Sequence, residues 1–136
     1  MNNGKIPSYQ SRWVDGLNRG DVSAADEAFA PNCTVHVTGF PEPIKGVAAW
    51  KEAAAGFLAA FPDMHFTIDD HIVSGDMVAF RWHAEGTHRG QFGPIAPTSR
   101  RVAFNGLLYD RLADGKVVER WEQFDQPAIL RDLGVA

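Results

Sequence analysis

The chain has 136 residues, 45% of them hydrophobic and 22% charged, with a formal net charge of −4. That balance suits one folded domain over residues 1–136 with a buried core, and it excludes a disordered chain. The longest basic run is the pair Arg100-Arg101, so nucleic acid is not an expected partner. Cys33 is the only cysteine, which rules out an internal disulfide and fits a reducing compartment. Its apolar surroundings, NCTVHV, predict a buried, inert thiol. The N-terminal MNNGKIPSYQ has no charged segment followed by an apolar core, and no apolar run approaches the ~20 residues of a membrane span. The expectation is a cytoplasmic protein without membrane contact.

In chain order, Trp13, Val14 and Leu17 form an apolar stripe that predicts a helix from about Pro7 to Asn18. NRGD stops it, with Gly20 suited to the left-handed position after a helix. Asp21 or Ser23 then caps a short helix, AADEAFA, which ends before Pro31. Cys33 to Thr38 reads as a strand, and GFPEPIKG as a loop. VAAWKEAAAGFLAAF, residues 47–61, is the strongest helix, with Trp50, Ala54, Phe57, Leu58 and Phe61 at helical spacing.

Beyond Pro62 the period changes to two. In MHFTIDDHIVSG, Phe66, Ile68 and Ile72 share a face; Asp70 has the same parity, and His65 and His71 the opposite one. SGD is a hairpin turn. In the next strand Val78, Phe80, Trp82 and Ala84 take one face, while Arg81, His83 and Glu85 take the other. His88 continues the apolar parity. A proline-rich connection, GPIAPTSRR, leads to the strand VAFNGLLYDRL, the turn ADGK, the strand VVERWEQFD and a short closing helix. Helices segregated from a run of antiparallel strands imply an α+β fold. The expected form is a strongly curved antiparallel sheet, with the N-terminal helices and the long helix on its concave face and a hollow between.

AFAPNCTVHVTG, the long stretch from FPDMHF through RWHAEGTHRGQFGPIAPT, and DGKVVERWEQFDQ together resemble the SnoaL-like polyketide cyclase family, of the nuclear-transport-factor-2-like superfamily. The likeness runs from about Leu17 to Gly134. It implies a cone-shaped α+β fold and an enzyme that closes a ring by intramolecular aldol condensation without metal or cofactor. It also implies an aspartate near the end of the last strand as acid and base. Asp125 matches that position, with Glu122 as the alternative if the other parity of the strand faces inward. His36 matches the family's strand histidine, and Asn105 stands where some relatives carry a histidine.

The residues expected around the pocket are therefore His36, Trp82, His88, Asn105, Trp121 and Gln123. Each also has a plainer reading. Asp125-Gln126-Pro127 is good helix-capping chemistry. His36, Trp82 and Trp121 suit an ordinary core. Trp13 and Trp50 suit helix packing. No metal-type spacing of histidines, phosphate loop or nucleophile elbow occurs. The leading expectation is acid–base catalysis on a hydrophobic carbonyl compound. The alternatives are an isomerase, a hydratase, an epoxide hydrolase built on an Asp-Arg-Asp set, or a small-ligand-binding module. A homodimer through the outward sheet face, with Met77, Arg81, His83 and Glu85, is expected as the assembly.

Overall fold

The computed structural model describes residues 4–135. It begins with α1 (Ser8–Asn18), a 3₁₀ turn (Val22–Ala24) and the short α2 (Ala25–Ala28). Next come β1 (Phe29–Val37), the two-residue β2 (Ile44–Lys45) and α3 (Val47–Ala60). Four strands follow in succession, β3 (His65–Ser74), β4 (Met77–Thr87), β5 (Arg101–Ala113) and β6 (Lys116–Phe124), and α4 (Gln126–Asp132) ends the chain. The fold is α+β, as the element order implies. None of the described helices is long and apolar enough to cross a membrane.

The strands form a single sheet in the order β2-β1-β6-β5-β4-β3. The pairs from β3 to β6 are antiparallel, as expected, but β1 lies parallel to β6. The parallel pair arises because the chain leaves the sheet from β2 at one edge, beside β1, crosses with α3, and re-enters at the other edge with β3. β1 also starts earlier than expected. Phe29, with no exposed surface, extends out of the helix into the core. There it meets Trp13 of α1 at 5.5 Å and Trp50 of α3 at 5.8 Å between ring centroids, tying both helices to one face of the sheet.

Two bulges set which side chains reach that face. In β3, Asp69 is the extra residue between the pairs Ile68–Trp82 and Asp70–Arg81. Phe66, Ile68 and then His71 consequently turn inward, with His71 stacked on Phe80. Asp70 and Ile72, expected inside, turn outward, and Ile72 is 60% exposed. In β6, Val118 is the extra residue between the pairs Leu112–Val117 and Arg111–Glu119. Beyond it Arg120 and Phe124 take the concave side with Glu122, while Trp121 meets Tyr109 on the outer side.

Candidate active site

A cavity of about 120 Å³ lies between the concave face and helices α1 and α3. Its walls are rings and aliphatic chains: Trp13 and Leu17 from α1, Trp50 and Phe57 from α3, and Phe66, Trp82 and Phe104 from the sheet. The polar lining is small, consisting of Gln10, Thr67, Arg120 and Glu122. Trp82 lies across Gly106, where an added Cβ would stand 2.2 Å from the indole; glycine lets the ring lie flat on the neighbouring strand. The Nε1 atoms of Trp82 and Trp50 are buried without a hydrogen-bond acceptor from the chain.

The polar end of the cavity is an ion-pair network. Asp110 of β5 stands directly opposite Arg120 of β6. Arg120 donates from Nε to Asp110 Oδ1 at 2.7 Å and from Nη2 to Oδ2 at 2.8 Å, a two-pronged bond. Nη2 also donates to Gln10 Oε1 at 2.7 Å, and Tyr9 donates its hydroxyl proton to Asp110 Oδ2 at 2.6 Å. Nη1 reaches Glu122 Oε1 only at 3.4 Å. The side chains of Arg120 and Asp110 are 1% and 0% exposed, that of Glu122 16%.

Burial sets the protonation of this group. Burial opposes charge on Arg120, but Asp110 overrides it and holds the guanidinium above the ordinary arginine range. Burial, then Asp110, pushes the Tyr9 hydroxyl up, so it stays a donor. Glu122 is raised above the ordinary carboxyl value by burial, with Arg120 opposing the rise and Asp110 adding to it. A carboxyl raised in this way, in an apolar cavity, holds its proton more readily than an exposed one, the direction a general acid–base group needs.

The expected site residues divide: Trp82, Asn105, Gln123 and Asp125 together line an open hollow of about 440 Å³ on the outer side of the sheet, and His36, Trp121 and His88 lie elsewhere. Trp82 lines the cavity. Asp125 does not: it is exposed and accepts a hydrogen bond from the backbone N–H of Ala128 at 3.0 Å, capping α4. Its expected place inside the cavity is corrected accordingly. His36, Trp121, Gln123 and Asn105 also lie outside the cavity. Cys33 and Val35 are buried and Val37 lines the cavity, which sends His36 to the outer face. There it stacks on Trp121 at 5.3 Å and its Nε2 meets Glu119 Oε2 at 2.7 Å. Trp121 stacks in turn on Tyr109 at 4.8 Å. Gln123 and Asn105 are exposed on the same outer side.

His88 is fully buried but anchors the connection between β4 and β5 rather than the cavity rim. Thr98 donates its backbone N–H to His88 Nδ1 at 3.1 Å, and the ring packs on Phe61. Among the described residues no group of three or more histidines, cysteines or carboxylates could hold a metal.

Sequence reasoning missed Tyr9, Gln10, Asp110 and Arg120. A signal existed for Asp110, which shares the parity of Val102, Phe104 and Leu108 and is therefore a charge on an apolar face. Such a residue calls for a buried partner.

The comparisons with known proteins agree with this architecture. IdmH of Streptomyces antibioticus, a candidate polyketide cyclase, is 31% identical with a TM-score of 0.82, covering 96% of this chain and 100% of its own. AclR of Streptomyces galilaeus, a candidate hydroxylase, is 28% identical with a TM-score of 0.84, covering 95% of this chain and 80% of its own. A protein of Catenulispora acidiphila with a ketosteroid-isomerase-like fold is 17% identical with a TM-score of 0.81, covering 97% of this chain and 96% of its own, a likeness of fold alone. No curated protein matches the chain. The family model described as SnoaL-like polyketide cyclase matches residues 8–133. With nearly its whole length inside that match, the chain belongs to the SnoaL-like polyketide cyclase family.

Proposed function

We propose that this protein is an acid–base enzyme that moves a proton at carbon in a hydrophobic carbonyl compound, as an aldol-type cyclase, with Glu122 as the catalytic group. The observation that carries the reading is a single carboxyl, raised by burial, at the polar end of an aromatic cavity. As a carboxylate, Glu122 removes a proton next to one carbonyl. The enolate carbon attacks the second carbonyl and a carbon–carbon bond forms. Glu122 then returns the proton to the new alkoxide oxygen, so the site ends as it began. Arg120 sits beside the reacting oxygens as a fixed cation. The aromatic walls hold the flexible substrate folded for attack.

The test is Glu122→Gln assayed against hydrophobic diketones sized to the cavity. The expected result is a loss of about 10²–10⁴-fold in turnover with ligand binding retained. Turnover at the wild-type rate would sink the reading.

One observation favours a second chemistry. Asp110, Arg120 and Glu122 form a carboxylate–arginine–carboxylate set of the kind expected for epoxide hydrolysis. Hydrophobic epoxides therefore belong in the same substrate panel.

For the assembly we propose a homodimer through the outer sheet face. Ile72, Ala79, Tyr109, Trp121 and His36 form one row across five strands, and Leu107 beside it is 61% exposed. A solution mass equal to one chain would refute this.

A further inference from the structure

Arg120 stands between two carboxylates and treats them unequally. It shares its own strand and face with Glu122, two residues away, a placement that favours a close pair. Instead it turns both prongs of its fork to Asp110, at 2.7 and 2.8 Å, and leaves Glu122 a single long contact of 3.4 Å. Asp110 is held for that task from a third side. Tyr9 of α1 fixes Asp110 Oδ2, and the next residue, Gln10, fixes Arg120 Nη2. Two consecutive helical residues thus lock a strand-to-strand ion pair with virtually no exposed surface.

The consequence lies in the charge count. Arg120 and Glu122 are the charged residues in the cavity lining, and Asp110 is the charge behind them. From the elements around Glu122, the facing titratable groups are Arg120 on its own strand, Asp110 on β5 and Tyr9 on α1. Its neighbours in register, Val37 on β1 and Leu108 on β5, are apolar. With Asp110 paired to Arg120, the cluster is neutral when Glu122 carries a proton. Without Asp110, Arg120 would have Glu122 as its only carboxylate, and the two would form a fixed ion pair that no longer exchanges a proton.

We propose that Asp110 is a positioning residue that draws the charge of Arg120 away from Glu122 and so leaves Glu122 able to exchange a proton. This rests on the reading of Glu122 as the acid–base group, but its test reads protonation and not turnover. Failure of the catalytic reading would therefore leave the result standing.

The test follows the side-chain carboxyl carbon of Glu122 by ¹³C NMR against pH, in protein labelled at glutamate and assigned with Glu122→Gln. In Asp110→Asn the midpoint should fall by about one unit or more, a tenfold change in proton affinity. A merely structural role for Asp110 would lower the melting temperature and leave that midpoint unchanged. The double variant Asp110→Leu, Arg120→Met replaces a buried pair by apolar side chains of similar volume, a change such sites often tolerate. There the midpoint should stay within about half a unit of wild type, a factor of about three in proton affinity. An unmoved midpoint in Asp110→Asn would overturn the proposal. So would a rise of a unit or more in the double variant, because the pull of Arg120 on Glu122 would then outweigh the offset that Asp110 supplies in the intact protein. The double variant decides alone if Asp110→Asn fails to fold.

Discussion

Glu119 and Glu122 are the same residue type, three positions apart on one strand, each beside an arginine, yet the fold drives them in opposite directions. Glu119 lies on the outer face, where bonds from His36 first and Arg111 next pull its carboxyl below the ordinary range. Glu122 lies on the inner face, where burial raises its carboxyl and its arginine is engaged elsewhere. Residue type does not decide which carboxylate can act as an acid. Water and the number of committed donors decide it.

The sharpest way to break the contrast is to remove the residue that keeps the inner arginine engaged. Asp110→Ala leaves Arg120 buried with its main partner gone. Truncating one partner of a buried pair costs about 3–5 kcal/mol, because the remaining charge is left uncompensated. Urea denaturation of the variant should show a loss of that order. A loss below about 1 kcal/mol would mean that Arg120 relaxes to water or to Glu122 at little cost, and the inner cluster would be no different from an exposed pair.

A medium effect should appear in the pH dependence of stability. Glu122 has a folded-state pKa raised above its ordinary 4.5. Its favourable contribution is therefore fully present below pH 4.5 and is lost as pH rises through the raised folded value. Each unit of elevation corresponds to about 1.4 kcal/mol. Glu122→Gln lacks that titration, so it should gain stability relative to wild type between pH 4.5 and neutrality. Paired urea titrations at acid and neutral pH would check this, and a stability difference independent of pH would contradict it.

The element order, the helices and most strand faces are readable from periodicity, and so is the capping chemistry of Asp125-Gln126-Pro127. The inner face of β6 is not, and the reason is one residue. A two-residue turn at Asp114-Gly115 sets Ala113 against Lys116 and Leu112 against Val117. Continued without a bulge, that register would set Asp110 against Glu119 and Leu108 against Trp121, sending Trp121, Gln123 and Asp125 into the cavity. The bulge at Val118 shifts the register and sends Arg120, Glu122 and Phe124 there instead. Nothing in VVERW marks the bulge. It is settled by packing, because the inward parity then places Arg120 opposite Asp110, and by Tyr9, which lies 101 positions from Asp110 along the chain. A contact that distant leaves no local pattern in a single sequence.

Asp125 sharpens the comparison from outside the cluster. As an N-cap, its replacement by alanine should cost about 1 kcal/mol. Turnover should stay within about twofold, against the ~10²–10⁴-fold expected for a general acid–base group. A large loss of activity without a large loss of stability would return the catalytic role to Asp125.

The smallest expected effect is the most discriminating in sign. Glu119 has a lowered folded-state pKa, so its contribution is present above 4.5 and is lost as pH falls through the depressed value. Its side chain is 27% exposed and its partners His36 and Arg111 are 36% and 44% exposed, which screens the pair. A contribution of about 0.2–1 kcal/mol is therefore expected. Glu119→Gln should thus lose a little stability at neutral pH and nothing in acid, while Glu122→Gln should gain at neutral pH. Salt should weaken the first effect more than the second, because Glu119 and its partners are more exposed than Glu122 and Arg120. If both glutamine variants moved stability in the same direction with pH, the two faces of the strand would not differ electrostatically, and the reason for placing the acid at Glu122 would be gone.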